Sequence, residues 1–503
     1  MSILNTINKE IKNPDDLYNR LEVLIKKHNP DAELDMLKLA YEFAKNAHEG
    51  QKRASGDPYI THSLYTAITL AKMRLNIPIV VAAILHDVPE DTSKTINEIK
   101  KEFGSDVASM VAGITKLGKI KYRGMERYIE NLRKMFIAMA EDIRVVFIKF
   151  ADRLHNLQTI EYLPPKKRYR VALETLEIYA PIANRLGMGE IKGKLEDLAF
   201  KYVYPQEYKW TESIIEKFYP KKEIYLAQAI KNSERFLHEA NINPIEVFGR
   251  RKFKYSLYKK LLRKDKDINN VYDIVALRII VKDIAECYAT LGIIHKHWKP
   301  IKGRIKDYIA QPKPNGYKSL HTTVWDNGDI LEVQIRTQNM HDEAEFGIAA
   351  HWMYDENGKK AVVGKEIKWM QDLAQIQKEF ENKKQYLSEL EVLKIDVFQS
   401  RIFVFTPKGD VIDLPEEATP VDFAYAIHSD IGNQCIGAVI NEQIQQLNTP
   451  LRSGDVVHII TNKDRKGPNE DWVKFVKTRN ARSKIRAYLN TNKSSWIRRI
   501  TNK

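Results

Sequence analysis

Apolar residues at Met36, Leu37, Ala40, Phe43, Ala44 and Ala47 recur at spacings of three and four, the period of a helix with one buried stripe. Comparable stripes continue to about residue 200, so the first part of the chain reads all-α. Near residue 245 the period changes. Strand-like runs at Tyr272–Val281 and Ile330–Arg336 are separated by helical stretches and by the turn Pro312-Lys313-Pro314-Asn315-Gly316, which makes an α/β block. Residues 356 to 394 are densely charged at helical spacing and suit a connecting element. From Val397 to about Thr461, short β-rich runs such as Arg401–Thr406 and Asp455–Ile460 are punctuated by Pro407, Gly409, Gly432 and Gly454, the pattern of a small β-rich domain. No internal repeat interrupts this order.

Composition narrows the picture. At 503 residues the chain has room for roughly three domains of ~150 residues, and 43% hydrophobic with 29% charged residues excludes bulk disorder. The longest apolar run, Ile77–Leu85, is far short of the roughly twenty residues of a membrane-spanning helix. The first residues carry Lys9, Glu10, Asp15 and Asp16 in no export-signal order, so a cytoplasmic protein is expected. Cys287 and Cys435 are too few for a disulfide framework or a multi-cysteine zinc site, which leaves any metal to His, Asp or Glu. The net charge of +15 is uneven: residues 463–503 hold 13 basic and 3 acidic residues, a net +10 that leaves +5 elsewhere. Trp472, Phe475, Tyr488 and Trp496 interleave there, and two readings stand: a segment that lies on RNA, or a solvated basic helix end.

Candidate chemistry comes in two clusters. In the first, His62, His86-Asp87, Glu90-Asp91 and Asp152 with Asn156 accompany the buried-type run Val80–Leu85. On one helix, His86 with Glu90 and Asp87 with Asp91 project over adjacent turns. Ionisable groups at the edge of a core are costly unless a cation relieves them, and a mixed imidazole and carboxylate set suits a divalent ion such as Mn²⁺ that acidifies a water for attack on phosphorus.

These residues sit in Ala47-His-Glu-Gly-Gln-Lys-Arg53, Asp57-Pro-Tyr-Ile-Thr-His62, Leu85-His-Asp-Val-Pro-Glu-Asp-Thr92, Asn131-Leu-Arg-Lys134 and Ala151-Asp-Arg-Leu-His-Asn156. Together they resemble the His-Asp metal-dependent phosphohydrolases, and more narrowly the hydrolase domain of the Rel/SpoT-type guanosine penta/tetraphosphate enzymes. The resemblance implies His62, His86, Asp87 and Asp152 as ligands of Mn²⁺, Glu90 and Asp91 as groups that activate water, and Arg53 and Asn156 as nucleotide-binding residues. Pro89 and Ala54 depart from the family pattern.

The second cluster begins with residues 247–266, nine bases against one acid, a density that a polyphosphate would neutralise. Asp273 and Arg278 interrupt an apolar strand, and strict alternation places Glu332, Gln334 and Arg336 on one face of another with Leu331, Val333 and Ile335 opposite. If the strands are neighbours, Asp273 and Glu332 share a Mg²⁺ that bridges triphosphate oxygens; Glu332 as a solvent-facing strand acid is the alternative. Between them lie Arg304-Ile-Lys-Asp307 and Lys313-Pro-Asn-Gly-Tyr317-Lys-Ser-Leu-His321, where Tyr317 either stacks on a base or packs within its loop. These segments resemble the synthetase domain of the same family. The resemblance implies transfer of pyrophosphate from ATP to the 3′-hydroxyl of GDP or GTP. It assigns Asp273 to Mg²⁺ and Glu332 to the metal or the hydroxyl proton. Arg250, Lys252 and Arg278 go to ATP, Arg304 and Lys306 to the basic, phosphate-facing run, and Tyr317 to guanine with Lys313, Asn315 and His321.

Val404-Phe-Thr-Pro-Lys-Gly-Asp410, Ala418–His428 and Gly454-Asp455 resemble the β-grasp TGS module. His428 is open to two readings, a structural histidine or a tRNA contact. The expected organisation is a His-Asp hydrolase over 1–200, a helical connector over 201–244, an α/β synthetase over 245–355, a charged helical linker over 356–396, TGS over 397–462 and a basic helical tail over 463–503, with the family's further C-terminal modules absent. The expected function is an enzyme that makes and destroys (p)ppGpp, with ribosome or tRNA contact through the TGS module and tail and none with membranes. Its rivals are a hydrolase with a vestigial synthetase and a ribosome- or tRNA-binding regulator.

Overall fold

The computed structural model describes residues 13–118, 134–352 (save 136, 139, 140, 269, 270, 314 and 327) and 401–489 (save 409, 453 and 466). They fall in two compact units, one within residues 1–376 and one within 377–503. The predicted linker over 356–396, Asn131–Arg133 of the fourth motif and Trp496 lie outside the described residues.

The first unit opens with helices α1 (Pro14–His28), α2 (Asp35–Ala47), α3 (Ile60–Lys72), α4 (Ile77–Leu85), α5 (Val88–Asp91), α6 (Ile96–Gly118) and α7 (Arg144–Gln158). The α2 stripe buries Leu37, Ala40 and Ala44 as its spacing predicts, while Met36 is exposed. Helix α4 is apolar and buried from Ile79 to Leu85 because α3 and α6 flank it. It stops at Leu85. Pro89 has no N–H to return to the Leu85 carbonyl, so the chain turns at His86-Asp87 and restarts as α5; where one helix was expected across His86–Asp91, there is a turn followed by the short α5.

Helix α8 (Pro165–Glu174) continues through a π-turn (Thr175–Tyr179) into α9 (Ala180–Arg185). Pro181, near the start of α9, lacks an N–H, and Ala180 N–H reaches back to Thr175 O, widening the turn. The loop Leu186–Met188 leads to α10 (Gly189–Val203) and α11 (Pro205–Glu239).

A sheet follows, with strands β1 (Glu246–Arg251), β2 (Val275–Val281), β3 (Lys299–Pro300), β4 (Lys306–Asp307), β5 (Leu320–Asp326) and β6 (Asp329–Thr337) in the order β1-β2-β6-β5-β3, and β4 pairing β5. Helices α12 (Lys254–Leu262), α13 (Ile284–His297) and α14 (Gln338–Phe346) accompany it. One face carries Val275, Leu277, Ile279, Leu331, Val333, Ile335 and Val324, buried with Leu226, Phe236 and Leu237 of α11 and Ile294 of α13. The other face is polar. Asp273 was expected within the strand; it lies in the turn before β2.

The second unit pairs β7 (Arg401–Phe405) with β8 (Val411–Pro415) and orders β9 (Cys435–Ile440), β10 (Gln443–Gln445) and β11 (Val457–Thr461) as β10-β9-β11, with helices α15 (Pro420–Ile427) and α16 (Ser429–Gln434). Its core takes in Val404, Phe423 and Val457 and also Trp472, Val476 and Ile485. Buried Asp422 accepts hydrogen bonds from the backbone N–H groups of Thr419 and Thr478 and from both threonine hydroxyls, which ties the segment after β11 to α15. Trp472 is therefore core and not free to lie on RNA, and Phe475 packs half-buried against that core.

Candidate active sites

Three helices converge on the first site. His62 stands on α3, His86-Asp87 at the α4–α5 break, and Asp152 on α7 with Asn156 one turn on. His62 Nε2 lies 3.2 Å from Asp152 Oδ1 and 3.5 Å from Asp87 Oδ2, and His86 Nε2 lies 3.2 Å from Asp87 Oδ1. Ligand atoms of His62, His86 and Asp87 all fall within 4.8 Å of one another.

Tautomers decide what this cluster holds. A carbonyl only accepts, so a neutral His86 ring carries its proton on Nδ1, 2.7 Å from Ala83 O, and has Nε2 bare. That atom is buried with no hydrogen-bond partner, facing a carboxylate oxygen. Two lone pairs so placed repel each other unless a cation lies between them. The residues fit a divalent ion bound by imidazole nitrogen and carboxylate oxygen. Burial raises the Asp152 pKa, but the Lys149 ammonium beside it outweighs that and keeps this carboxylate well below its usual range.

The surrounding residues brace this cluster. Lys149 Nζ donates to Asp152 Oδ2 at 2.7 Å, Asn156 donates to the other Asp152 oxygen, and Arg53 Nη2 donates to Asn156 Oδ1 at 2.9 Å. Tyr59 OH lies 3.1 Å from Asp87 Oδ2 and 2.6 Å from Asp91 Oδ2, joining the two acidic pairs. Burial raises the Glu90 pKa. A cavity of about 300 Å³ opens beside Asp152, with Arg53, Lys149, Arg153, Lys167 and Arg170 on its walls. His155, Lys149 and Tyr59 belong to this arrangement although sequence reasoning gave them no role. His155 and Tyr59 lie inside the quoted motifs, and Lys149 stands one helical turn before Asp152.

Strand register builds the second site on the polar face of the sheet. One row across it runs Phe248, Arg278, Gln334, His321, Lys306; the next runs Arg250, Ala276, Glu332, Thr323. The strands of Arg278 and Glu332 are neighbours and parallel. His321 spans two partners, with Nδ1 3.3 Å from Glu332 Oε1 and Nε2 2.7 Å from Tyr317 OH. Burial pushes Glu332 up, but His321 and Gln334 hold it at about 2. Asp273 is likewise held at about 2, because Lys252 and Lys260 at 2.6 and 2.7 Å outweigh its burial. Both carboxylates are ionised, and oxygen donors of this kind suit Mg²⁺.

The polar face is not open throughout. Arg336 is fully buried and Arg278 is 3% exposed. Arg278 Nη1 donates to Glu345 Oε1 of α14 at 2.6 Å, and Arg336 Nη2 lies 3.2 Å from the same oxygen and 2.7 Å from His341 Nδ1. The ring beneath Arg278 is that of Phe248. Arg304 is exposed over the Tyr272 ring, Lys313 lies over the Tyr308 and Tyr317 rings, and Asn315 Oδ1 accepts from Tyr317 N. Lys260, Glu345, Arg336 and His341 entered the site without a sequence assignment. Lys260 was one base among nine, and α14 carried no motif that pointed to Glu345.

The chain matches three family models: HD domain over residues 40–189, which carries the helical site, the region found in RelA/SpoT proteins over 249–359, which carries the sheet site, and TGS domain over 402–461. The bifunctional (p)ppGpp synthase/hydrolase SpoT of Escherichia coli strain K12 is 44% identical over 477 residues, which is 94% of this chain and 67% of that protein. This chain belongs to the RelA/SpoT family. A GTP pyrophosphokinase of Myxococcus xanthus is 44% identical over 483 residues, covering 94% of this chain and 63% of the relative. A guanosine-3′,5′-bis(diphosphate) 3′-pyrophosphohydrolase of Aquifex aeolicus strain VF5 is 46% identical over 479 residues, covering 94% and 67%. The chain thus spans 63 to 67% of the length of these relatives. As a RelA/SpoT member it combines a helical HD domain, a mixed-sheet synthetase-type domain and a TGS domain. The HD domain implies a divalent metal, which the first cluster fits.

Proposed function

We propose that this chain is a cytoplasmic enzyme that makes (p)ppGpp at the sheet site and hydrolyses it at the helical site. The observation that carries the reading is that one chain holds two separate acid-centred sites, each lined by cations suited to a polyphosphate.

For hydrolysis, His62, His86, Asp87 and Asp152 are the residues that hold Mn²⁺, which when bound supplies Lewis acidity and a more acidic water. Glu90, with its raised pKa, takes a proton at the mouth of the site, and Tyr59 holds Asp91 beside Asp87. Arg53 and Asn156 bind the nucleotide, and Arg153, Lys167 and Arg170 face its phosphates. Water replaces the 3′-oxygen on phosphorus, and GDP or GTP leaves with pyrophosphate.

For synthesis, the 3′-oxygen of GDP or GTP attacks the β-phosphorus of ATP, the bond from that phosphorus to the α-bridging oxygen breaks, AMP leaves, and Glu332 takes the hydroxyl proton. Asp273 and Glu332 are the residues that hold Mg²⁺. Lys252 and Lys260, which neutralise Asp273 here, pass to the triphosphate. Arg250 and Arg278 take the adenosine side, and Arg304 and Lys306 the phosphates. Tyr317, Lys313, Asn315 and His321 take guanosine. The TGS unit presents His428, 65% exposed at its side chain, for a tRNA or ribosome contact.

The test is two incubations, ATP with GDP and Mg²⁺, and ppGpp with Mn²⁺, with nucleotides resolved chromatographically. Glu332→Gln is expected to stop only the first and Asp87→Asn only the second. Loss of neither rejects the reading, and ppGpp hydrolysis without synthesis selects the vestigial synthetase.

A further inference from the structure

Beneath the metal cluster, the Nδ1 atoms of His62 and His155 approach to 2.8 Å. His62 Nε2 faces the two carboxylates. A neutral imidazole carries one N–H, so a ring that ligates through Nε2 has its proton on Nδ1. That proton points at His155 Nδ1, which must then be bare and accept. The second imidazole is thereby locked as well, with its proton on Nε2. Two features hold His155 in that pose: it stands on α7 between Asp152 and Asn156, and its ring stacks on Tyr65 with centroids 4.9 Å apart and planes 17° apart. His155 is 6% exposed, so water does not replace it. His86 receives the same service from the Ala83 carbonyl. The two metal-facing histidines are thus oriented by different chemistry, one by backbone and one by a side chain that substitution can remove.

We propose that His155 is a positioning residue for the helical site, the hydrogen-bond acceptor that fixes His62 as its Nδ1–H tautomer and aims Nε2 at the cation. The proposal rests on the reading of His62, His86, Asp87 and Asp152 as a metal centre. Outer partners of this kind typically contribute about 10- to 100-fold in metal affinity.

The test uses the full chain. In protein loaded with Zn²⁺ as a diamagnetic stand-in and with ¹⁵N-labelled histidine, long-range ¹H–¹⁵N correlation is expected to show His62 with its proton on Nδ1. Mn²⁺ binding, followed by the loss of the free-ion EPR signal, is expected to weaken roughly 10- to 100-fold in His155→Phe, which keeps a ring on Tyr65 but accepts nothing. His155→Asn, whose Oδ1 takes the place of Nδ1, is expected to restore affinity to within a few-fold. A His62 whose Nδ1 carries no proton in the metal-loaded wild-type protein overturns the proposal, and that measurement does not depend on any variant folding. Equal Mn²⁺ affinity in folded His155→Phe also overturns it while binding is lost in His86→Ala and Asp87→Asn; if those two bind Mn²⁺ normally, the metal centre itself is wrong.

Discussion

Gly187 and Gly347 meet backbone to backbone. A Cβ on Gly187 would stand 2.9 Å from Asn315 O and 3.2 Å from Gly347 Cα, and one on Gly347 would stand 2.6 Å from Met188 N. Both glycines have positive φ, 74° and 59°, and Ile348 N–H donates to Leu186 O at 3.0 Å across the same seam. Helix α8 lines the cavity of the helical site and, through the π-turn and α9, leads to this seam. Nearby, Arg74, in the α3–α4 connection, faces Asp342 of α14 at 3.6 Å. The loop that follows α9 is therefore packed main chain to main chain against Asn315 of the sheet site.

Gly187→Ala strains a positive-φ position and pushes on Asn315. Synthesis is expected to fall by up to about 10²-fold, the scale of an ångström-sized misplacement of a binding group, with ppGpp hydrolysis much less affected. Parallel kcat/KM values for both reactions check this; equal losses in both place the defect in folding instead.

Glu345 is the carboxylate shared by buried Arg278 and Arg336. Glu345→Gln leaves two buried guanidinium groups without their counter-charge, a loss on the order of 3–5 kcal/mol. A lowered urea midpoint with an unchanged denaturant slope is the expected result, and addition of ATP or sulfate is expected to recover part of it.

Lys313 has its pKa lowered to about 8 by burial and by Lys306 and Lys252. The usual lysine value is about 10.4, so between roughly pH 8 and 10.4 the unfolded chain holds a proton that the folded one lacks, and this group makes stability rise with pH there. Nucleotide binding has the opposite sign. A polyanionic nucleotide bound beside Lys313 favours its ammonium form, so GDP affinity is expected to drop as pH rises above about 8, with proton uptake on binding. Calorimetry at pH 8.5 in buffers of different ionisation enthalpy measures that uptake, and Lys313→Arg, always charged, is expected to abolish it.

Chelation of divalent metal is expected to stop ppGpp hydrolysis without unfolding the helices, because α3, α4 and α7 are held by apolar burial. Activity that returns with Mn²⁺, at constant far-UV circular dichroism, is the expected outcome. Asp87→Asn is expected not to recover under the same addition.

Much of this was legible in one dimension. The apolar stripe of α2 and the alternation in β6 are local patterns that periodicity marks, and the residues around His62, His86 and Asp152 stand out through motifs that resemble the family's. Pro89 was visible too, yet only the folded chain shows that it breaks the helix and turns His86 and Asp87 toward α3 and α7. The rows Arg278-Gln334-His321 and Ala276-Glu332 depend on pairing among strands up to about sixty residues apart, and register is set by which faces the α11 and α13 side chains bury, a sum over the whole core. Glu345 and Lys260 carried no signal of their own, and His155 sat inside a quoted motif without a role. Each acquires its role from a partner brought close by tertiary packing, where burial makes an unpaired charge or a bare nitrogen costly enough to matter. Sequence determined which residues could do chemistry; the fold decided which of them face one another.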